Sequence, residues 1–463
     1  MNPSQPSPIY QQERIRHHAS NSNSHRFFNL LTEPTLFDKV EELLPAHRER
    51  LFPPTETLSM FLAQAMNADR SCQNAVNESA VQRLVSSLPK CSTDTGAYCR
   101  SRKRLPLSMV SSLCCYTGEK ISRNSNPQWH WRNRPVRLVD GTTVVMPDTL
   151  ENQQAYPQPG SQKPGLGFPQ CRLVGLICLG SGALLNMATG PVKGKRSDEQ
   201  TLFRSLTNDL KRGDVLLGDA FYATYFLLCT LDKLGVDAVF EQHGSRQLVT
   251  DFRRGKRLGS KDHIIEITKP KKPPTWMSTS DYAQMPDSLN VRELRVGGKT
   301  LVTTLLCPKQ TSKKDLRTLY QERWHVELDF RNIKTTLGME MVSCRTPEMV
   351  QKEIWVYLLA YNLIRLLMSQ SALLADILPR QISFKHTVQL WLAWRQHYDQ
   401  QVALDALDEV FLTLVAQNKV GHRPGRVEPR AVKRRPKPMA LLTTPRHIAR
   451  ANILRNGHPK KAK

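Results

Sequence analysis

Residues 136–146, VRLVDGTTVVM, form a short apolar run that is rich in β-branched side chains. Val and Thr favour strands because their branched side chains pack well on a pleated surface. The run therefore predicts a buried β-strand that begins just after Pro135. Asp140 is the anomaly in it, because a carboxylate inside a buried strand is costly unless something offsets its charge.

The sequence after this strand predicts further strands and helices in alternation. In chain order we expect a hairpin at 172–188 around Gly180-Ser-Gly182, a helix at 197–210, a strand at 215–219, a helix at 221–234 and a strand at 236–240. Ser197, Asp198 and Glu199 look like a helix cap followed by an acidic first turn. The strand at 215–219 ends on a second acid, Asp219. This order is typical of an α/β fold.

Residues 241–310 differ from their surroundings and predict a mainly β insertion. Three short β-like runs, at 263–268, 291–296 and 301–306, are broken by the proline-rich stretch 269–274 and by Gly297-Gly298. Helices are expected again at 312–337, 347–369 and 385–418. We therefore divide the chain into a disordered tail (1–26), a helical module (27–130), an α/β domain (131–345) and a C-terminal helical domain with a basic tail (346–463).

The helical module carries a cluster of basic residues. The helix expected at 93–104 contains four of them: Arg100, Arg102, Lys103 and Arg104. Such a helix could dock on DNA, or it could present an ordinary solvated face on a packing module. From Gly421 onward, Arg and Lys alternate with Pro, which predicts an extended basic arm.

Composition indicates a polyanionic partner. The chain holds 66 Lys and Arg against 41 Asp and Glu, a formal net charge of +25. A positive field of this size attracts nucleic acid or an anionic membrane surface, and the basic distribution favours nucleic acid. The N-terminus lacks the apolar core of a secretory signal, and polar residues interrupt the longest apolar stretch, 354–374. The ten cysteines form no CxxC pair, so we expect reduced thiols and no zinc site.

Four polar residues at helical spacing form the most informative motif. At 100° per residue, Arg323, Glu327 and Lys334 fall at about −60°, −20° and −40° from Tyr320, so all four share one stripe. Apolar neighbours, Trp324 among them, are expected to pack around it. A carboxylate, two cations and a phenol suit a metal-bound phosphodiester. The alternative is a surface ion pair between Arg323 and Glu327.

Asp140, Asp219 and Glu327 together supply the oxygen ligands that Mg²⁺ and Mn²⁺ prefer. Two divalent ions can activate a nucleophile and stabilise the leaving oxygen of an in-line displacement. The alternative for each aspartate is a structural pairing with an Arg or with a helix N-terminus.

These blocks resemble those of a known family. Residues 320–334 match the Y-R-E-K pattern of bacterial insertion-sequence-four family transposases. Asp140-Gly-Thr-Thr143 resembles the first acidic block of that family, and Gly218-Asp-Ala-Phe-Tyr222 resembles the second. The resemblance covers about residues 90–440 and implies a ribonuclease-H-like catalytic core with a β insertion. It departs from the family at Ala220, where members often have a basic residue.

The resemblance further implies a DDE mechanism of cut-and-paste transposition. Asp140, Asp219 and Glu327 would be the catalytic metal ligands for two Mg²⁺ ions, for which Mn²⁺ would substitute. The partners would be terminal inverted repeats, target DNA and a second copy of the chain in a synaptic complex. The place of action would be the bacterial cytoplasm, at the nucleoid. A family Trp stacks on a flipped base; Trp276 is the candidate, with core packing as the alternative.

Three other functions compete with this interpretation. A non-catalytic DNA-binding protein derived from a transposase would share the charge, but it would not need all three acids. A ribonuclease-H-like nuclease without strand transfer would need the acids, and the Y-R-E-K stripe and the basic tail argue for the transposase. A membrane-surface protein fits least, because no helix sets Lys and Arg opposite bulky apolar residues.

Overall fold

A computed structural model of the chain describes residues 39, 42–46, 51–85, 90–194, 197–247, 250–397, 404–421 and 442–457. The tail expected at 1–26 lies outside the described residues. So do the Arg and Lys residues between 423 and 437 that define the expected basic arm.

The strand expected at 136–146 is the centre of a large sheet. β1 (Val136–Val145) pairs antiparallel with β2 (Gln170–Cys178) on one side and parallel with β4 (Val215–Gly218) on the other. β3 (Leu184–Pro191) completes the expected hairpin with β2. The first four residues of β1 are buried.

The next unit gives the sheet its parallel part. β4 leads through α7 (Tyr225–Leu234) to β5 (Asp237–Glu241), which pairs parallel with β4. α7 ends at Gly235, whose φ of +70° suits glycine at a left-handed helix cap. The helix expected at 197–210 is shorter than predicted. It consists of α6 (Glu199–Arg204) and a separate turn at Thr207–Asp209.

The segment at 241–310 extends the same sheet. Its strands are β6 (Lys256–Gly259), β7 (Asp262–Thr268), β8 (Ser288–Val296) and β9 (Lys299–Thr303), with the short helices α8 (Gly244–Gln247) and α9 (Thr279–Ala283). β9 pairs antiparallel with β5. Within the described residues, nine strands therefore form one sheet in the order β3-β2-β1-β4-β5-β9-β8-β7-β6, mixed but mostly antiparallel.

Helices cover the sheet. Before β1 they are α1 (Pro54–Met66), α2 (Cys72–Val85), α3 (Gly96–Arg104) and α4 (Leu107–Arg123), and α5 (Leu150–Ala155) follows β1. After the insertion they are α10 (Lys313–Gln321), α11 (His325–Arg331), α12 (Pro347–Leu374), α13 (Phe384–His397), α14 (Leu404–Gln417) and α15 (Arg446–Asn456).

The long helix α12 joins the parts of the chain into one core. It packs against α1, α4 and α14, and α4 also packs against β3. One cluster of buried residues runs from Leu58 in α1 through Leu138 in β1 to Ile364 in α12. The N-terminal helices therefore share their main core with the sheet. None of the described helices is long and apolar enough to cross a membrane. All ten cysteines are free thiols, as expected.

A buried ion cluster fixes α11 to α12. Asp329 is completely buried, and its carboxylate accepts hydrogen bonds from Arg365 of α12 and from Arg380, the latter at 2.7 and 2.9 Å. Gly182 leaves the room that Arg365 needs, because a Cβ at that position would lie 2.7 Å from the guanidinium carbon.

Replacing Asp329 by Asn should destabilise the fold strongly. Two buried guanidinium groups would lose their carboxylate, a change that costs about 3–5 kcal/mol in buried ion pairs. The measurement is the free energy of unfolding by urea. The control is Asp287→Asn, which removes an exposed carboxylate that pairs with Lys269 and should cost about 1 kcal/mol or less. Equal losses in the two variants would show that the cluster does not stabilise the fold.

Candidate active site

Two parallel strands bring the first two candidate acids to one level of the sheet. Leu138 of β1 pairs with Leu217 of β4, so Asp140 and Asp219 each stand two residues further along. Asp219 is the first residue after β4, and its Oδ1 accepts a hydrogen bond from the Phe221 amide at 2.8 Å. The two acids predicted on separate strands, Asp140 and Asp219, therefore lie side by side at the same level along β1 and β4. We call this part of the sheet the acidic edge.

The surroundings of Asp140 disfavour the charged form of its carboxyl group. Only 17% of its side chain is exposed. Burial raises the pKa of the Asp140 carboxyl to about 6, and the charges of Asp219 and Glu199 act in the same direction. The Gly141 amide, 2.8 Å from Oδ1, and the Arg323 guanidinium oppose this rise. Because desolvation dominates, this position favours either a neutral carboxyl group or a nearby cation.

The third acid lies on a helical segment that is less regular than the sequence pattern assumes. Between α10 and α11 the chain forms a 3-10 turn at Glu322–Trp324, and after α11 it forms a π turn at Asn332–Thr336. A 3-10 turn winds the chain more tightly than an α-helix and a π turn less tightly, so their effects on register oppose each other. The helix expected at 312–337 is present as this composite, and its polar residues still face the sheet.

The Arg323 guanidinium joins two of the candidate acids. Nη1 lies 3.4 Å from Asp140 Oδ2, and Nη2 lies 3.0 Å from Glu327 Oε1. From the sequence, two interpretations of these residues were possible: a simple i,i+4 ion pair, or a stripe directed at the reaction centre. The structure contains the Arg323–Glu327 ion pair, and the same guanidinium also contacts Asp140. Arg323 therefore offsets part of the negative charge that burial makes costly.

The two ends of the stripe reach other parts of the same edge. Lys334 Nζ lies 3.4 Å from the Thr142 hydroxyl, close to the first acidic block. The Tyr320 hydroxyl lies 3.4 Å from Glu241 Oε2, at the end of β5, and burial raises the pKa of Tyr320. Lys299 also contacts Glu241, at 2.6 Å. The four stripe residues thus span the edge from β1 to β5.

Two further carboxylates lie near these acids, and the sequence pattern did not single them out. Gly218 pairs with Phe240 in the parallel register of β4 and β5, so Glu241 stands level with Asp219. Glu199, expected only as part of a helix cap, lies against Gly141, on the face of β1 opposite to the Asp140 side chain. The sequence did contain one indication of the Glu199 contact, Gly141 directly after Asp140. A glycine inside a buried strand can mark the close approach of another group.

The donor chemistry of this cluster fits a divalent metal ion. Carboxylate oxygens are the ligands that Mg²⁺ and Mn²⁺ prefer, and a buried acid such as Asp140 calls for a counter-charge. Among the described residues, no three His, Cys, Asp or Glu side chains lie close enough together to form a complete metal site. Glu327 is paired with Arg323 instead.

The basic residues of α3 divide into two groups. Arg100, Lys103 and Arg104 are exposed and share one helical face, since they stand three and four residues apart. Arg102 points the other way and is 8% exposed; its guanidinium lies 4.7 Å from the Phe61 ring centroid and also faces the Tyr98 ring. The structure therefore removes Arg102 from the set of DNA-binding candidates, because it stabilises the helical core.

Two tryptophans near the site have different surroundings. Trp324, expected to pack against apolar neighbours, is 57% exposed on the 3-10 turn, so that expectation was wrong. Trp276 is half-buried, with the Arg204 guanidinium 3.9 Å from its ring centroid and the Phe226 ring edge-on at 6.3 Å. It lines a cavity of about 540 Å³ between α7 and the insertion. These contacts show packing; they do not test base stacking.

Comparison with protein families identifies a large part of the chain. The family described as the transposase DDE domain matches residues 131–363. The match begins just before β1 and ends inside α12, so it contains Asp140, Asp219, Glu327 and the whole Y-R-E-K stripe.

Curated proteins of Escherichia coli strain K12 show the same relationship. The chain is 28% identical over 360 residues to the transposase InsG for insertion sequence element IS4, which covers 73% of this chain and 76% of InsG. It is also 28% identical over 140 residues to InsZ, a provisionally named transposase, covering 30% of this chain and 46% of InsZ.

The match to the transposase DDE domain spans half of the chain and contains the edge where the acids meet. The similarity to InsG extends well beyond that domain. The chain therefore belongs to the transposase DDE domain family and is an insertion-sequence transposase of the IS4 type, an enzyme that acts on DNA.

Proposed function

We propose that this transposase cuts DNA at the ends of its element and joins those ends to target DNA by a metal-dependent DDE mechanism. The observation that carries the proposal is the convergence of Asp140, Asp219 and Glu327 on one edge of the sheet, with Arg323 between Asp140 and Glu327. The strand order β3-β2-β1-β4-β5 supports a ribonuclease-H-like core, to which β6–β9 add the insertion.

The three acids are the proposed metal ligands. DDE transposase domains generally use divalent metal ions; we propose two Mg²⁺ ions here, with Mn²⁺ as a substitute. Bound ions of this kind supply activation of an attacking oxygen and charge stabilisation at a leaving oxygen. Asp140 and Asp219 are already side by side on the sheet. Glu327, which is paired with Arg323 in the structure, would be the third ligand.

The cations of the stripe are the proposed phosphate ligands. The planar guanidinium of Arg323 could donate two parallel hydrogen bonds to phosphate oxygens. Lys334, next to Thr142, holds a neighbouring phosphate as a point charge. The Tyr320 hydroxyl contacts Glu241 at the end of β5, so we assign Tyr320 a positioning role at that end of the site.

The substrate and partner assignments follow from this chemistry. We propose that the enzyme binds the terminal inverted repeats through the exposed face of Arg100, Lys103 and Arg104 and takes target DNA into the same site. Two element ends must join one target in a single event, so we propose a homodimer in a synaptic complex. Its place of action is the bacterial cytoplasm, on nucleoid DNA.

Replacing Asp219 by Asn should abolish strand cleavage without abolishing DNA binding. The loss of a metal ligand removes several kcal/mol of transition-state stabilisation, so the cleavage rate should fall at least about a thousandfold. The measurement is cleavage of linear DNA that carries the flanking inverted repeats, in Mg²⁺. Exposed Asp232 in α7 offers the control, Asp232→Asn, which should cleave normally.

The same reaction separates transposition from simple nuclease activity. A transposase produces cleaved ends joined to a second DNA molecule, whereas a nuclease produces cleaved ends alone. Normal cleavage by the Asp219→Asn variant would contradict the assignment of the site.

The stability of the metal-free protein should depend on the Asp140 carboxyl and on pH. Its pKa is raised to about 6, above the value of about 4 in an unfolded chain. Between these values the folded state binds the extra proton, so the contribution of Asp140 to stability falls as pH rises through this window. Asp140→Asn should therefore raise Tm at pH 7 and raise it less at pH 5. The same gain at both pH values would contradict the raised pKa.

A further inference from the structure

The C-terminal part of the chain is strongly basic. Residues 422–463 hold 13 Lys and Arg against one Glu, which is about half of the formal net charge of +25. Within this stretch the structure describes α15, which contains three Arg, one His and no acid. A concentration of positive charge attracts polyanions. The helix is therefore a candidate contact for an anionic partner.

α15 is held against the rest of the protein by a narrow stripe of side chains. No residue of this helix is buried. Pro445, Ala449 and Ile453 stand four residues apart and are half-buried, and the Pro445 ring lies against Gly165. An isolated helix of 11 residues is marginal in water, so α15 depends on these few contacts for its place. Most of its surface remains free.

A groove lies next to this stripe, between α15 and the start of α5. It has a volume of about 660 Å³. Its two walls carry Arg446, His447 and Arg450 from α15, and Asp148, Thr149 and Gln153 from the start of α5. At 100° per residue, Arg455 lies about 180° from Arg446. The third arginine of the helix therefore stands on the opposite face, outside the groove.

The charged side chains of the groove are not paired with one another. Asp148 accepts a hydrogen bond from Gln153 Nε2 at 2.9 Å. Among the described residues, neither Arg446 nor Arg450 has a carboxylate within ion-pair distance. Both guanidinium groups are therefore available to an external anion. Phosphate suits them, because the planar guanidinium of Arg can donate two parallel hydrogen bonds to its oxygens.

β1 links this groove to the acidic edge. Val145, the last residue of β1, stands five residues after Asp140, a distance of about 17 Å in an extended strand. The segment after the Y-R-E-K stripe fixes this end of β1 and the start of α5. Met341 pairs with Val145, and the Arg345 carbonyl accepts a hydrogen bond from the Thr149 hydroxyl at 2.8 Å. A duplex that runs along β1 from the acidic edge would therefore meet the groove after about five base pairs.

We propose that the groove between α5 and α15 is a further DNA-binding site, in which Arg446 and Arg450 bind backbone phosphates about five base pairs from the cleaved bond. The inference rests on the proposed function, because that function places the cleaved bond at the acidic edge. Phosphate contacts fix the position of a duplex and carry no sequence information. The groove thus positions DNA for the acids, separately from the exposed face of α3.

The test is the affinity of the full-length protein for a fluorescent duplex that carries the inverted repeat, measured without divalent ions at several salt concentrations. Replacing Arg446 and Arg450 together by Gln removes two phosphate contacts. The slope of log affinity against log salt should therefore fall by about two, and binding should weaken at least about tenfold. The control is Arg455→Gln on the opposite face of α15, which should leave the slope and Tm unchanged. An unchanged slope in the double variant would overturn the inference.

Asp148→Asn tests the same groove with the opposite sign. A phosphate in the groove is repelled by the Asp148 carboxylate, so its removal should strengthen DNA binding by up to about fivefold, the range for one exposed charge pair. If the groove serves only to hold α15 in place, Asp148→Asn should lower Tm or leave DNA affinity unchanged. Either result would contradict a bound phosphate.

Sedimentation velocity without DNA separates this site from an interface between copies of the chain. If the double variant changes the oligomeric state and keeps wild-type DNA affinity, the groove binds protein and the inference is wrong. The proposed function is tested separately, by cleavage in Mg²⁺. If the wild-type protein does not cleave while the double variant still loses its salt slope, the proposed function is wrong and the groove remains a DNA-binding site.

Discussion

The parallel pairing of β1 with β4 is the constraint on which the site depends. Val136–Leu138 lie opposite Val215–Leu217, and two residues later each strand presents a carboxylate. Parallel strands need a long crossover between them, and here the β2–β3 hairpin and α6 lie within it. The crossover also brings Glu199 against Gly141, on the face of β1 opposite to the Asp140 side chain.

Bringing acids together in this way creates a charge problem, and the fold solves part of it internally. Arg323 contacts both Asp140 and Glu327. The helical segment that bears Arg323 and Glu327 is held on its opposite side by Asp329, which pairs with Arg365 and Arg380 in the core. The face of this helical segment toward β1 thus carries partly exposed ion pairs, whereas the opposite face carries a buried one. Under the proposed function, Arg323 would exchange a carboxylate for a phosphate while Asp329 holds the helix in place.

Local patterns in the sequence were sufficient to predict the acids on the strands and the polar stripe on the helix. Asp140 and Asp219 interrupt or end apolar runs, and the spacing from Tyr320 to Lys334 fits one helical face. The two irregular turns do not destroy this face, because one winds the chain tightly and the other loosely. The strands of the insertion were also predictable from their β-branched runs, although their pairing with β5 through β9 depends on tertiary contacts.

Other features depended on tertiary contacts that a local pattern does not contain. Glu199 has the sequence context of a helix cap, and only the tertiary fold brings it against Gly141 of β1. Arg102 is one of four basic residues within five positions, yet two aromatic rings bury its guanidinium. Trp324 is exposed because a 3-10 turn interrupts the regular helix at its position.

We propose that metal and DNA replace the Arg323 ion pairs with Asp140 and Glu327. The most direct measurement is a crystal structure of the protein with an element-end DNA and Mn²⁺, in which anomalous scattering locates the ions. We expect Mn²⁺ between Asp140 and Asp219, Glu327 turned toward it, and Arg323 on a phosphate. Mn²⁺ bound elsewhere, or Arg323 still bridging Asp140 and Glu327 in the complex, would contradict the account.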